Sequence, residues 1–210
     1  MPSVTRRSQN SRPDRRDRVR DRLLAVVEKL LANGESFTEI SIERMVQAAG
    51  MSRSTFYVYF QDKGDLLRAW FADIESEIAE AGAGWWEIDA QSTREDLRAA
   101  LERVVMTYRP YAPLMAATFD AAAYDPGVRE HTEAMMQANS AGLRKHIRQG
   151  QRAGFIDAAL PAGETAEWLT WMAERAFHVL LQGLSPRELR PHIDAYTAIV
   201  WNTLYAPTRR

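Results

Sequence analysis

Residues 37–67, FTEISIERMVQAAGMSRSTFYVYFQDKGDLL, decide the fold. Ser41 is a good N-cap, and Ile42, Met45, Val46 and Ala49 recur on one helical stripe that Gly50 closes. Ser52 caps a second short stretch, Arg53 to Tyr59. There Phe56 and Phe60 lie four apart and point inward together, while Arg53, Ser54, Tyr57 and Val58 face outward. Two short helices joined by Ala49-Gly50-Met51-Ser52 have the length and turn chemistry of a helix-turn-helix. Purely structural bundles also contain glycine-turned helix pairs, so spacing alone leaves that alternative open. The outward residues weigh against it. Arginine, serine, threonine and two tyrosines on one short helix are donors suited to phosphates and base edges, and Lys63 adds charge nearby.

Outward from this segment the chain reads as helix after helix. Residues 1–13 are polar and arginine-bearing, broken by Pro2 and Pro13, and are expected to form a mobile basic arm. From Asp14 the apolar positions Val19, Leu23, Val26, Val27, Leu30 and Leu31 predict a first helix that stops at Asn33-Gly34. On the other side, Asp62 and Asp65 resemble a capping box, and Leu66, Leu67, Trp70, Phe71, Ile74 and Ile78 continue a fourth helix long enough to bridge two parts. Gly82, Gly84 and a polar segment at 89–92 end it, and Ser92 with Glu95 opens a fifth helix. A shorter helix over 112–123 follows, then one from Asp125-Pro126 to Ala153 with Gly154 as terminator. Two more, at 164–183 and 187–205, carry apolar residues on more than one face and need neighbours on two sides. No alternating strand pattern and no internal repeat is present. The prediction is an all-α protein of about nine helices.

Composition narrows the function classes. A length of 210 residues argues against an enzyme with a separate cofactor domain, and 46% hydrophobic with 26% charged residues suits a globular chain with a real core. Cysteine is absent and the four histidines lack ligand-like spacing, so no disulfide, thiol nucleophile, metal site or cofactor is expected. No apolar run reaches the roughly 18–20 residues of a membrane span, and charges interrupt the first apolar stretch, LLAVVEKLLANG; the protein is read as cytoplasmic, with no membrane partner. Net charge is −1, yet residues 1–68 carry 13 Lys+Arg against 9 Asp+Glu, a local +4 that leaves −5 on the remainder. Such asymmetry suggests that one end meets a polyanion. Neither G-x-S-x-G, H-E-x-x-H nor a phosphate-cradling glycine loop occurs, which speaks against an enzyme.

Segment 37–67 resembles the DNA-binding signature of the TetR family of transcriptional regulators. The family pattern is a small helix, the turn AG-x-S, a recognition helix ending in T-x-Y-x-Y-F, and a lysine soon after. Ala49, Gly50, Ser52, Thr55, Tyr57, Tyr59, Phe60 and Lys63 match it. Val46 stands where a small alanine is usual, and Gly64 where an acidic residue commonly follows the lysine, which would loosen the start of the fourth helix. The resemblance implies that Ser41, Ser52, Arg53, Ser54, Thr55, Tyr57, Tyr59 and Lys63 meet double-stranded DNA, with Tyr57, Tyr59 and Lys63 on phosphates and Arg53 and Ser54 nearest the base edges. The N-terminal arginines are either a groove-binding arm or a solvated charge run.

The C-terminal stretches WLTWMAERAFHVLLQG and IVWNTLYAP are similar to one branch of that family, whose ligand domain takes elongated lipophilic molecules. Where that branch has two pocket asparagines, alignment on the Glu-Arg pair puts Thr170 and Ala173, so amide bonds to the ligand are expected to be absent here. The organisation implied is an arm at 1–13, a helix-turn-helix domain at 14–61 and a ligand-binding and dimerisation domain at 62–210. Trp86, Tyr108, Met115, Phe119, Met136, Trp168, Trp171, Met172 and Phe177 are the candidate pocket lining, bulky adaptable residues around small ones such as Ala116, Ala117 and Ala173. Glu174 and Arg175 are read as pairing with neighbouring helices, and His178 as a satisfied interior or interface histidine. Charged groups are otherwise scarce on these faces, so a highly charged ligand would find no partner and the effector is expected to be neutral and lipophilic. The leading reading is a homodimeric repressor, paired through its last two helices and released from a palindromic operator by a small lipophilic ligand. Its rivals are an effector-independent DNA-binding dimer with an architectural or constitutive role, and an all-α enzyme.

Overall fold

A computed structural model describes residues 12–181 and 183–208, and within them the chain forms ten α-helices, two 3-10 turns and no strand. The expected arm lies outside the described residues as far as residue 11. α1 (Arg12–Ala32) starts two residues before the predicted Asp14, with Pro13 in its first turn, where a missing N–H breaks no helical bond. α2 (Ile42–Ala48) and α3 (Arg53–Tyr59) start at their predicted caps. Between them Gly50 takes φ +61°. Its N–H bonds to the Gln47 carbonyl at 3.0 Å and the Met51 N–H to that of Val46 at 2.9 Å, the crossed pair that closes a helix through a left-handed residue. Only glycine takes that conformation without a Cβ penalty.

α4 (Lys63–Ala81) holds Gly64 in its first turn, so the glycine does not delay the helix. Its start is fastened by Asp62, whose Oδ1 accepts from the Asp65 N–H at 2.7 Å, while Asp65 Oδ2 accepts from the Gln61 N–H at 3.0 Å. The chain divides into two compact units within α4, the first ending at Trp70 and the second beginning at Phe71. The sequence had placed that boundary at 61/62. The first two turns of α4 belong with the head because the Trp70 indole is buried there. Its Nε1–H donates to the Arg20 carbonyl at 3.1 Å, and its ring meets Phe37 edge-on at 6.4 Å.

In the second unit, a one-turn helix α5 (Ala83–Trp86) stands where Gly82 and Gly84 had been read only as stops. α6 (Arg94–Tyr108) is capped by Thr93, one residue later than predicted, and by Asp96 in the Glu place. The Thr93 N–H donates to Asp96 Oδ2 at 2.6 Å and the Asp96 N–H to Thr93 Oγ1 at 3.3 Å. Ser92 is engaged instead with Asp89, to whose Oδ1 its N–H and hydroxyl both donate at 3.0 Å. α7 (Ala112–Ala121) follows a 3-10 turn at Arg109–Tyr111. α8 (Pro126–Ala153) keeps its predicted bounds, with Asp125 Oδ1 accepting from the Gly127 and Val128 N–H groups at 2.9 and 3.1 Å. α9 (Ala162–Val179) and α10 (Pro186–Leu204) complete the unit. α8 packs on α9 and on α7, and α6 on α10. Leu97, Leu101, Leu143, Ile147, Leu169, Val200, Leu204 and Tyr205 meet in its main core, each buried aliphatic contributing roughly 1.5–3 kcal/mol. Among the described residues no helix is long and apolar enough to cross a membrane.

Candidate nucleic-acid interface and internal cavity

Phe56 and Phe60, four apart on the inner side of α3, are fully buried, with ring centroids 5.6 Å apart. That anchoring leaves Ser52, Arg53, Ser54, Tyr57 and Val58 exposed and Thr55 and Tyr59 half-exposed. Ser52 Oγ accepts from the Thr55 N–H at 3.1 Å and lies 2.8 Å from both the Ser54 and Thr55 hydroxyls. The start of α3 is thus a cluster of three hydroxyls. Arg53 reaches along the helix to the Tyr57 hydroxyl at 3.5 Å, with its guanidinium 5.6 Å from the ring centroid. Ser41 caps α2 by accepting from the Arg44 N–H at 3.1 Å. Arg44 in turn forms a two-pronged pair with Glu35 at 2.9 and 2.6 Å. Arg53, Ser54 and Tyr57 therefore share one outward surface, and Ser41 and Ser52 serve first as helix caps.

Lys63 departs from its expected place. Its ammonium donates to the carbonyls of Phe37, Thr38 and Ile40 at 2.5, 3.3 and 2.6 Å and sits 4.6 Å from the centroid of the Phe37 ring. A lysine has three N–H donors, and all three are occupied by the loop leading into α2. Partial burial pushes its pKa below the ordinary lysine value. Lys63 holds the loop that positions α2 rather than presenting a donor to a phosphate.

The second unit contains a cavity of about 650 Å³ bounded by α4 to α10. Of the nine candidate lining residues, Trp86, Tyr108, Met115, Met136 and Phe177 are on its wall, and Thr170 and Ala173 are there as well. Phe119, Trp168, Trp171 and Met172 are not. Phe119 packs against Phe71 at 6.5 Å and His178 at 6.0 Å, and Met172 packs on the main core. Trp168 and Trp171 point to the outside of α9, 78% and 50% exposed. A helix apolar on more than one face gives no sign, in sequence, of which face turns inward.

The wall also carries polar groups that the sequence reading missed: Glu75, Ser76, Asn139 and Glu174. Glu174 had been read as a structural pair; it lines the cavity, and burial raises its pKa above the usual carboxylate range. Burial raises that of Glu75 too. The Tyr108 hydroxyl is buried without a hydrogen-bond partner. A signal was present in the spacing, since Glu75 lies four residues after Phe71 and three before Ile78, and Glu174 lies three before Phe177. A carboxylate on an apolar helical stripe is the informative exception.

Residues 97–206, just over half of the chain, match the family model for the C-terminal domain of the transcriptional regulator EthR, and residues 31–70 match that of the bacterial regulatory proteins of the tetR family. The HTH-type transcriptional regulator EthR of Mycolicibacterium smegmatis is 26% identical over 187 residues, covering 87% of this chain and 84% of the relative. That of Mycobacterium tuberculosis is 27% identical over 209 residues, covering 99% and 96%. In solved structures the same fold occurs in the TetR family transcriptional regulator PfmR from Thermus thermophilus, with a TM-score of 0.70 and 19% identity over 87% of this chain and 98% of that one. An exposed α3 behind a glycine turn and a C-terminal half matching the EthR domain place this chain in the TetR family, as a DNA-binding transcriptional regulator.

Proposed function

We propose that the protein is a homodimeric repressor released from a palindromic operator by a small lipophilic effector. The observation that carries this reading is the cavity of about 650 Å³ with its largely apolar wall, the size and character of a small-molecule site. A filled interior would have favoured the effector-independent dimer. α4 supplies Lys63 and Trp70 to the head and Ala72, Glu75, Ile78 and Ala79 to the cavity wall, so one continuous helix carries residues of both units. An effector releases DNA by binding better to a conformer whose two α3 helices are misplaced for half-sites ~34–36 Å apart. A lipophilic ligand is expected to raise the melting temperature while lowering operator affinity, and Ala173→Trp, on the cavity wall, to imitate or block it. If only polar, non-lipophilic metabolites release DNA and lipophilic compounds give no thermal shift, the proposal fails.

Within the head, Arg53, Ser54, Thr55, Tyr57 and Tyr59 are the proposed DNA contacts, supported by their exposure on α3. Tyr57→Phe is expected to weaken all DNA sequences about equally, whereas Arg53→Ala changes sequence preference. Lys63→Ala is expected to destabilise the head by about 1 kcal/mol and leave the salt dependence of DNA affinity unchanged. A drop of about one in the salt slope would return Lys63 to phosphate contact.

The dimer reading rests on α9 and α10, whose outer faces expose Trp168, Trp171 and Ile199. Two large indoles and an isoleucine in water favour burial against a second copy, and a two-fold axis applies each residue twice. Sedimentation should give a dimer at micromolar concentration and a monomer for Trp168→Glu, with weaker operator binding in the variant; a monomeric wild type overturns this.

A further inference from the structure

We infer that the ligand of this cavity is a lipophilic cation, an apolar body carrying one basic nitrogen that sits against Glu174 and Tyr108. The inference rests on the effector reading of the same cavity and narrows its chemistry. No lysine, arginine or histidine lines the wall; its ionisable groups are Glu75, Glu174, Tyr108 and Tyr196. A carboxylate ligand would find two carboxyls on the wall and no lysine or arginine there, and would pay desolvation for both charges.

Of the residues lining the cavity, Glu174 and Tyr108 carry buried polar atoms without a hydrogen bond; among the described residues His131 Nε2 and His178 Nδ1 are the other two such atoms. Tyr108 is 6% exposed, and its hydroxyl has no hydrogen-bond partner. The Glu174 side chain is 12% exposed, and its Oε1 likewise has none. His178 Nδ1, one turn along α9, stands 3.6 Å from it, an ion-pair contact when the ring is protonated but longer than a good hydrogen bond. Arg175, the next residue, adds only a weaker attraction and is itself exposed. Glu75 has a similar histidine neighbour, His131 Nε2 at 3.5 Å from its Oε2, but neither Glu75 oxygen is buried without a hydrogen bond. Buried oxygens without donors are uncommon in folded proteins and mark places where something else supplies the donor. At Glu174 a second positive N–H group, placed closer than His178, would complete the carboxylate.

An ammonium would meet both needs. It donates to Glu174 Oε1 as a charge-assisted bond and to the lone pairs of the Tyr108 hydroxyl. Tyr108 and Phe177 rings, 5.3 Å apart, and the stacked Trp85 and Trp86 rings lie on the same wall and offer aromatic faces to a cation. Burial is the largest influence on the Glu174 carboxyl and holds it above its usual range, while His178 and Arg175 pull it down. The remaining wall, with Met115, Met136 and Leu143, takes the apolar body.

The test compares decylamine, decan-1-ol and decanoate, equal in length and used below micelle formation, by calorimetry and thermal shift on the full chain. The amine is expected to bind about tenfold or more tighter than the alcohol, with decanoate weakest. Glu174→Gln should remove most of the amine-over-alcohol preference, and Tyr108→Phe should reduce it less. Alcohol or decanoate binding as tightly as the amine to the wild-type protein overturns the cation inference and leaves the lipophilic effector standing. Binding of none of the three overturns both. The wild-type comparison needs no variant, so a poorly folded Glu174→Gln would not shield the inference.

Discussion

Trp70→Ala is expected to destabilise the head by about 3–5 kcal/mol, the range for emptying a fully buried aromatic site, and to abolish operator binding. Trp70 is buried to 1% exposure, packs edge-on against Phe37, and donates its indole N–H to the Arg20 carbonyl in the middle of α1. The indole therefore joins α4, α1 and the loop before α2 at one point. Alanine leaves a cavity that neighbours on rigid helices close only in part. Trp70→Phe keeps most of the ring and loses the N–H donor, so a smaller loss of about 1–2 kcal/mol is expected. Urea unfolding followed by far-ultraviolet circular dichroism, with operator affinity beside it, measures both. Cavity ligands should still bind the alanine variant, because the second unit has its own core. An unfolding midpoint unchanged from wild type would show that α4 is not secured to the head through this side chain.

Acid is expected to destabilise the second unit by about 3 kcal/mol through one histidine. His146 is buried, with Nε2 2.8 Å from the Tyr205 hydroxyl, which also accepts from the Trp85 Nε1–H at 3.1 Å. Burial disfavours the charged form, so the imidazole is neutral in the folded chain at pH 7. Burial lowers its pKa from 6.5 to about 4. The folded pKa lies below the unfolded one, so between about pH 6.5 and 4 the unfolded chain binds more protons and stability falls as pH falls. The contribution is fully present above pH 6.5 and fully lost below about 4. Because carboxylates titrate in the same window, the measurement is a difference: the urea midpoint of wild type and His146→Gln at about pH 7 and about pH 4.5. The variant should lose less on acidification. Equal losses in the two proteins would remove His146 from the acid response.

The helix-turn-helix was legible because its determinants are local. Caps at Ser41 and Ser52 act within one turn, Gly50 answers a backbone requirement at its own position, and Phe56 with Phe60 sets the inward face of α3. Capping boxes were less sharply defined. Ser92 and Thr93 are both good caps with a carboxylate three residues on, and Thr93 takes the role because Asp89 engages the Ser92 N–H and hydroxyl while Asp96 accepts from the Thr93 N–H. α5 was missed because four residues between glycines carry no periodic signal.

The sequence by itself determined the all-α class, the position of α3 and its exposed residues, since each follows from contacts spanning at most four residues. Tertiary structure alone decided what distant segments do to one another. It turned Lys63 onto carbonyls 23 to 26 residues earlier, gave the first turns of α4 to the head, and faced Trp168 and Trp171 outward while turning Glu174 inward. A helical repeat states which residues share a face, but only the packing of its neighbours states which face is covered and which borders a cavity.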